Sequence, residues 1–194
     1  MKNCRKKNQR GFTLTEVLTV LGITIIITLI TYDIFLVSQQ SFKKGDAALE
    51  ITQNGRIFLD RLTRELRQTP EIATSLPPAK TTQGFPPAAE IMFADGHDVP
   101  DIQYLRYFLN NGMVKRQRLV YYFATEPGVY VHWNARDAFG QLPQSSVLEE
   151  RDIAEYVNQI KFYGAGVTYM EIWLTKGLST AHFYTGVWGR NTRL

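Results

Sequence analysis

Glu16 is a carboxylate in a place where carboxylates are costly. It lies at the mouth of an apolar run from Phe12 to Val37 whose only other charge is Asp33, near its end. An acidic side chain costs about 2–3 kcal/mol at a bilayer centre and less near its edge, so one kept there marks a functional position. Just before it, Arg10-Gly11-Phe12-Thr13-Leu14-Thr15-Glu16-Val17-Leu18 joins a basic leader ending in glycine to an apolar segment opening on phenylalanine.

Other side chains capable of chemistry are scattered. His97, His132 and His182 are widely separated and show neither a neighbouring cysteine nor HExxH-like spacing, so they read as ordinary surface or strand residues. Asp95, Asp98 and Asp101 could offer oxygens to Ca²⁺, but their spacing is not that of an EF-hand loop and reads as a solvated turn. There is no nucleophile elbow, P-loop or dinucleotide fingerprint. No catalytic, cofactor-binding or metal-binding residue is therefore assigned, and the chain reads as non-enzymatic. Lys115-Arg116-Gln117-Arg118, with Tyr107, Tyr121 and Tyr122 nearby, combines cations with aromatics in the way that holds phosphates and stacks bases. Against a DNA partner stands the alternation of strand residues between opposite faces, and a basic hairpin arm also guards a sheet edge.

The net charge of +4 would suit a nucleic-acid partner, but the excess is local. Residues 1–11 hold Lys2, Arg5, Lys6, Lys7 and Arg10 and no acid; the rest of the chain carries 17 basic against 18 acidic side chains. Five positive charges ahead of an apolar helix keep the N-terminus in the cytoplasm and send the downstream chain across the membrane. Cys4 is the only cysteine and lies in this leader, with no apolar region before it, so it is not a lipoprotein site and no disulfide is expected.

Phe12–Val37 exceeds the about 20 apolar residues that span a bilayer core. Threonines 13, 15, 19, 24, 28 and 31 can return their hydroxyls to the helix backbone and so do not forbid insertion. A cleaved secretory signal would need small residues after the apolar run, and Tyr32-Asp33-Ile34-Phe35 does not supply them. A plain signal anchor explains the charges and the helix, but gives no reason for Gly11-Phe12 or Glu16. A glutamate that merely snorkels to the interface is the simplest alternative for Glu16.

The stretch Arg10–Leu18 resembles the class III signal of type IV prepilins and type II secretion pseudopilins. The resemblance implies that a prepilin peptidase cuts after Gly11 and methylates the new Phe12 amine. It also implies that Glu16 pairs with the N-terminal amine of a neighbouring subunit in a filament. The subunit would sit in the cytoplasmic membrane, surrounded by lipid, before joining other pilins through its N-terminal helix in a periplasmic or cell-surface fibre. Gly55-Arg56-Ile57-Phe58-Leu59-Asp60-Arg61-Leu62-Thr63-Arg64-Glu65-Leu66-Arg67-Gln68 is similar to the corresponding helix of J-class minor pseudopilins and W-class minor pilins. The closing Trp188-Gly189-Arg190-Asn191 resembles the end of some small bacterial prepilin-like proteins. A competence pseudopilin or a tip subunit binding DNA or a surface ligand is the runner-up within this class.

The elements that must position these residues are legible in outline. No proline interrupts Phe12–Thr69, and Pro70 closes the stretch, so one long helix is expected. Its outer half is amphipathic: Ile51, Phe58, Leu62 and Leu66, with Leu59 beside them, recur at helical spacing, and charges take the other faces. Asp60 and Arg64 form a favourable i,i+4 pair, while Gly45 and Gly55 are soft points where the helix can bend or melt. Prolines 70, 77, 78, 86 and 87 mark an extended connection.

Strands then read at Glu90–Ala94, Ile102–Leu109, Met113–Phe123, Val129–Trp133, Val157–Tyr163, Thr168–Thr175 and Thr180–Trp188. Asn110-Asn111-Gly112 predicts a type I′ hairpin, Pro127-Gly128 another turn, and residues 134–151 an irregular polar stretch. The expected fold is α+β: a long transmembrane-amphipathic helix with its stripe on an antiparallel sheet, as in a pilin. The expected segments are a leader over 1–11, a membrane half-helix over 12–37, an extracytoplasmic half-helix over 38–69, the connection over 70–88 and a β-domain over 89–194.

Overall fold

The computed structural model describes residues 11–189 and divides the chain into two compact units, Met1–Gly45 and Asp46–Leu194. The leader residues up to Arg10, Cys4 among them, and Arg190-Asn191 near the other end lie outside the described residues.

Helix α1 runs over Leu14–Gln68 without a break at Gly45 or Gly55. In the first unit every side chain from Phe12 to Val37 is exposed. A helix exposed and apolar on all sides needs lipid or other helices to cover it. Its hydroxyls are satisfied internally as expected. Thr19, Thr24, Thr28 and Thr31 donate to the carbonyls of Thr15, Val20, Thr24 and Ile27 at 2.8 Å.

In the second unit α1 buries Ile51, Gly55, Phe58, Leu62 and Leu66, a single stripe at helical spacing. Eight strands cover it: β1 (Glu90–Ala94), β2 (Tyr104–Asn110), β3 (Met113–Phe123), β4 (Glu126–Tyr130), β5 (Gln144–Ala154), β6 (Val157–Tyr163), β7 (Val167–Lys176) and β8 (Ser179–Trp188). The α+β arrangement is present, with its antiparallel strands divided between two sheets. One has the order β1-β2-β3-β4 with β5 also on β3; the other has the order β6-β7-β8. Ile91, Phe93, Leu105, Tyr107 and Val114 from the first sheet join Ile160, Phe162, Met170, Ile172, Leu174 and Val187 from the second in one core with the stripe. The β2–β3 turn carries positive φ at both Asn111 (49°) and Gly112 (77°), the conformation a type I′ turn demands.

Two readings of the β-domain are corrected. Pro127-Gly128 is not a turn: it lies inside β4, which pairs with β3 only at Phe123↔Glu126 and Tyr122↔Tyr130 across a register shift. A proline without an N–H and a glycine fit a bulged segment whose ladder is already interrupted. The polar stretch 134–151 is irregular only as far as residue 143; from Gln144 on it belongs to β5, which pairs with β3 from Val114 to Tyr122. Gln-Ser-Ser-Val-Leu-Glu-Glu-Arg-Asp lacks apolar alternation because β5 lies at the edge of its sheet with most side chains in solvent.

Gly55 is a packing glycine. A methyl group there would stand 2.4 Å from the Phe183 ring of β8, so the helix approaches the sheet only because the side chain is absent. The proline-rich connection contains no helix and no named strand, yet it is bonded to both sheets. Ala73 N–H donates to Met92 O (2.8 Å), Ala88 and Phe162 exchange both backbone bonds (2.9 Å each), and Gly164 N–H donates to Pro77 O (2.7 Å). Lys80 reaches from this segment to Glu171 on β7, its ammonium 2.7 Å from both carboxylate oxygens. Glu171 is only 3% exposed and also accepts the Tyr163 hydroxyl at 2.7 Å. Burial works to raise the Glu171 pKa, but the bonds from Lys80 and Tyr163 outweigh it and hold the carboxyl below its ordinary value. The same carboxylate, together with burial, pushes the Tyr163 phenol well above its usual range.

Gly55→Ala is expected to destabilise the chain by about 1–3 kcal/mol because Phe183 must give way, whereas Gly45→Ala, with open space around it, is neutral or stabilising by up to about 1 kcal/mol. Denaturation of the full chain in detergent measures both. Lys80→Ala leaves Glu171 short of its main partner and costs about 1–3 kcal/mol at neutral pH. A lowered carboxylate contributes stability above its unfolded pKa and loses it as pH falls through the folded value. The difference between wild type and Lys80→Ala should therefore be full at neutral pH and shrink below about pH 4.

Candidate processing and assembly site

The N-terminal segment is built for display. Gly11, Phe12 and Thr13 precede α1 in irregular backbone, and Phe12 is 82% exposed. Thr13 serves as the N-cap: its hydroxyl accepts the Glu16 N–H at 3.3 Å, and its carbonyl accepts the N–H groups of Glu16 (3.1 Å) and Val17 (3.2 Å). Thr15 hydrogen-bonds the Thr13 hydroxyl at 3.1 Å. Glu16 thus stands in the first turn, where the positive end of the helix dipole favours a carboxylate. Its carboxylate oxygens have no hydrogen-bond or ion-pair partner among the described residues. The three residues singled out in the sequence, Gly11, Phe12 and Glu16, fall within six consecutive positions at one helix end.

The basic arm of β3 is neutralised. Arg116 donates from Nε to Glu65 of α1 at 3.1 and 3.2 Å, and Glu65 also accepts the Tyr107 hydroxyl at 2.6 Å. Lys115 bonds Glu150 at 2.5 Å with Asp152 at 3.5 Å, Gln117 donates to Glu150 at 2.6 Å, and Arg118 lies 3.4 Å from Glu149. Burial opposes the Arg116 charge, yet Glu65 raises its pKa, while burial and the same carboxylate push the Tyr107 phenol well up. Lys115 lowers the Glu150 carboxyl, with Gln117 assisting. The acids come from β5 and α1, both remote in sequence, so no local pattern announced them. Tyr121 packs edge-on to Tyr104 at 5.4 Å instead of joining the arm.

The histidines stay apart. His97 Nδ1 is 2.8 Å from Asp95 within its own loop. His132 Nδ1 shares a 3.2 Å hydrogen bond with Tyr104, whose phenol burial pushes up to about 12. His182 stacks on Trp173 at 4.5 Å. Asp98 and Asp101 are joined by a backbone bond of 2.8 Å in a tight turn. Among the described residues, no group of three or more His, Cys, Asp or Glu side chains could hold a metal ion.

Among the described residues one helix, α1, is long and apolar enough to cross a membrane. Residues 6–32 match the family model described as the prokaryotic N-terminal methylation motif. The match spans Gly11, Phe12 and Glu16 and ends within the apolar half of α1. No curated protein and no solved structure matches the chain. That motif at the head of a long apolar helix, with an α+β domain behind it, supports a type IV prepilin-like protein.

Proposed function

We infer that this chain is a minor pilin or minor pseudopilin, a structural subunit rather than an enzyme. Its leader is removed between Gly11 and Phe12 by a prepilin peptidase, and the new Phe12 amine is methylated. The mature subunit waits in the cytoplasmic membrane with its N-terminus on the cytoplasmic side, then packs its helix against other pilins in a type IV pilus or secretion-type pseudopilus. The observation that carries this reading is the Glu16 carboxylate, without a partner among the described residues, in a capped first turn four residues beyond an exposed Phe12.

Before cleavage the Phe12 nitrogen is an amide; cleavage makes it an ammonium. A carboxylate and an ammonium buried together offset each other's desolvation, and removing one strands the other at about 3–5 kcal/mol. Processing and recruitment are thereby linked through one charge pair. The alternative of a DNA-binding competence subunit loses its sequence support, because Lys115, Arg116 and Arg118 are engaged by Glu65, Glu149 and Glu150.

Mass spectrometry of the N-terminal peptide should find N-methylated Phe12 as the first residue in membranes or in sheared surface material. An intact leader in cells with an active prepilin peptidase would reduce the chain to a signal-anchored domain. Glu16→Ala and Glu16→Gln should be cleaved normally while their incorporation into the fibre falls on the order of a hundredfold, the equivalent of about 3 kcal/mol. Equal incorporation of Glu16→Gln would leave the carboxylate with a helix-end role alone.

A further inference from the structure

The sheet edges of the β-domain are guarded with one exception. The outer edge of β1 is covered by the connection, through Ala73 N–H and Thr74 N–H to Met92 O and Ala94 N–H to Glu71 O. β4 is five residues long and contains Pro127 and a register shift. β5 carries Glu149, Glu150, Arg151 and Asp152 in succession. The outer edge of β6 is bonded to Ala88 and, just past its end, to Pro77. Such covers, charges and prolines are the usual protections against edge-to-edge pairing.

β8 has none of them. It runs ten residues, Ser179–Trp188, paired with β7 in unbroken register, with no proline, no Asp, Glu, Lys or Arg, and no bulge. From Thr180 to Val187 no backbone hydrogen bond reaches beyond the β7 ladder among the described residues. An antiparallel edge strand leaves alternate N–H and C=O groups pointing outward, ready for another strand.

The side chains specify what kind of strand fits. On the face away from the core, Tyr163, Tyr169 and Tyr184 stack in a row across β6, β7 and β8, with centroids 5.5 and 5.8 Å apart. Trp173 and His182 stack in parallel beside them. Both rows end on β8, where Tyr184 is 55% exposed and Trp188 59% exposed. Tyr184 and His182 sit two residues apart on one face, so each leaves a ring face open where the next strand would lie.

We propose that the β8 edge accepts an extended strand from a neighbouring pilin-like subunit, uncharged and bearing aromatic residues at alternate positions. The added strand completes the backbone ladder and continues both ring stacks. The strand brings no Asp, Glu, Lys or Arg, and the one carboxylate on this face, Glu171, is already bonded to Lys80 and lies 3.5 Å from His182 Nε2, so an acidic or basic added strand would lose hydration without gaining a free partner. A second copy of β8 does not meet the geometry. Antiparallel β8–β8 pairing relates the copies by a twofold axis perpendicular to the sheet, which reverses the helix segment 46–68 lying on it. Subunits that repeat along a polar fibre share one direction, which a twofold contact does not preserve. The choice of a fibre neighbour as donor rests on the subunit reading above; the edge itself can be tested without it.

The probe is a synthetic peptide with the chemistry of the edge, Ser-Thr-Ala-His-Phe-Tyr-Thr-Gly-Val-Trp, added to the full chain in detergent micelles. Hydrogen exchange of the Thr180–Val187 amides is followed, with a peptide of the β5 sequence Gln144–Ala154 as the charged comparison. Saturating aromatic peptide should slow the outward-facing amides of β8 by about tenfold or more, while the β5 peptide leaves them unchanged. Tyr184→Lys and Thr180→Lys, both at exposed positions, should each abolish the protection. Unchanged exchange at β8, equal protection by both peptides, or protection appearing at the β5 edge instead would overturn the proposal. Concentration-dependent protection of the chain alone, with doubled mass, would assign the edge to a second copy and overturn it as well. Because the readout is independent of Phe12 processing and Glu16, failure of the edge and failure of the subunit reading are separable.

Discussion

The main core of the β-domain, where the two sheets meet, is built on the stripe of α1. Ile51, Phe58, Leu62 and Leu66 are shared by the five-stranded and the three-stranded sheet, whose inner faces would otherwise stand in water. The stripe therefore supplies the surface on which both inner faces are buried together. Helix spacing fixes how wide the stripe can be, and Gly55 fixes how near Phe183 of β8 can come. The same helix must be apolar on every side before Val37 and on one side only after Ile51. Its sequence obeys both demands because the change of pattern falls between them, where Lys43, Lys44 and Asp46 appear.

Two partly or wholly buried carboxylates add direction to what hydrophobic packing leaves loose. Glu65 binds Tyr107 of β2 and Arg116 of β3, so the helix has one rotational setting over the first sheet. Glu171 binds Lys80 of the connection and Tyr163 of β6, which ties the connection to the second sheet. Burying a charge is favourable only when its bonds are complete, and each carboxylate here has at least two polar partners. Displacing the helix by a turn, or the connection by a residue, would leave a carboxylate without them. Specific placement therefore comes from the polar contacts, and most of the stability from the apolar ones.

How far the sequence was readable depends on the range over which each feature is determined. The helix stripe, the Asn111-Gly112 turn and strands β1, β3, β6, β7 and β8 are set by residues close in sequence, and their patterns are visible there. β5 was missed because an exposed edge strand needs no apolar alternation; β3 defines it as a strand through pairing. Pro127-Gly128 carries the composition of a turn, but the register shift of β4 makes room for both residues in a strand. Gly55 looked like a weakness of the helix because its partner, Phe183, is far along the chain. The partners of the β3 arm were hidden for the same reason: Glu65, Glu149 and Glu150 meet it only once the sheet has formed. The charges were legible and their partners were not.

The N-terminal site shows the opposite relation between sequence and fold. Gly11, Phe12 and Glu16 were conspicuous in the sequence, and folding supplies nothing that accounts for them. The helix start is already satisfied by Thr13, whose hydroxyl and carbonyl cap the first turn without using the Glu16 carboxylate. Helix-end electrostatics favour an acid there by less than about 1 kcal/mol at an exposed position. Stability of the single chain thus does not explain Glu16. On the function proposed above, the partner that explains it is an amine created at Phe12 of another copy or another pilin. The fold delivers a capped helix, an exposed phenylalanine and a carboxylate unpartnered among the described residues, which is the arrangement that the proposed pairing between subunits requires.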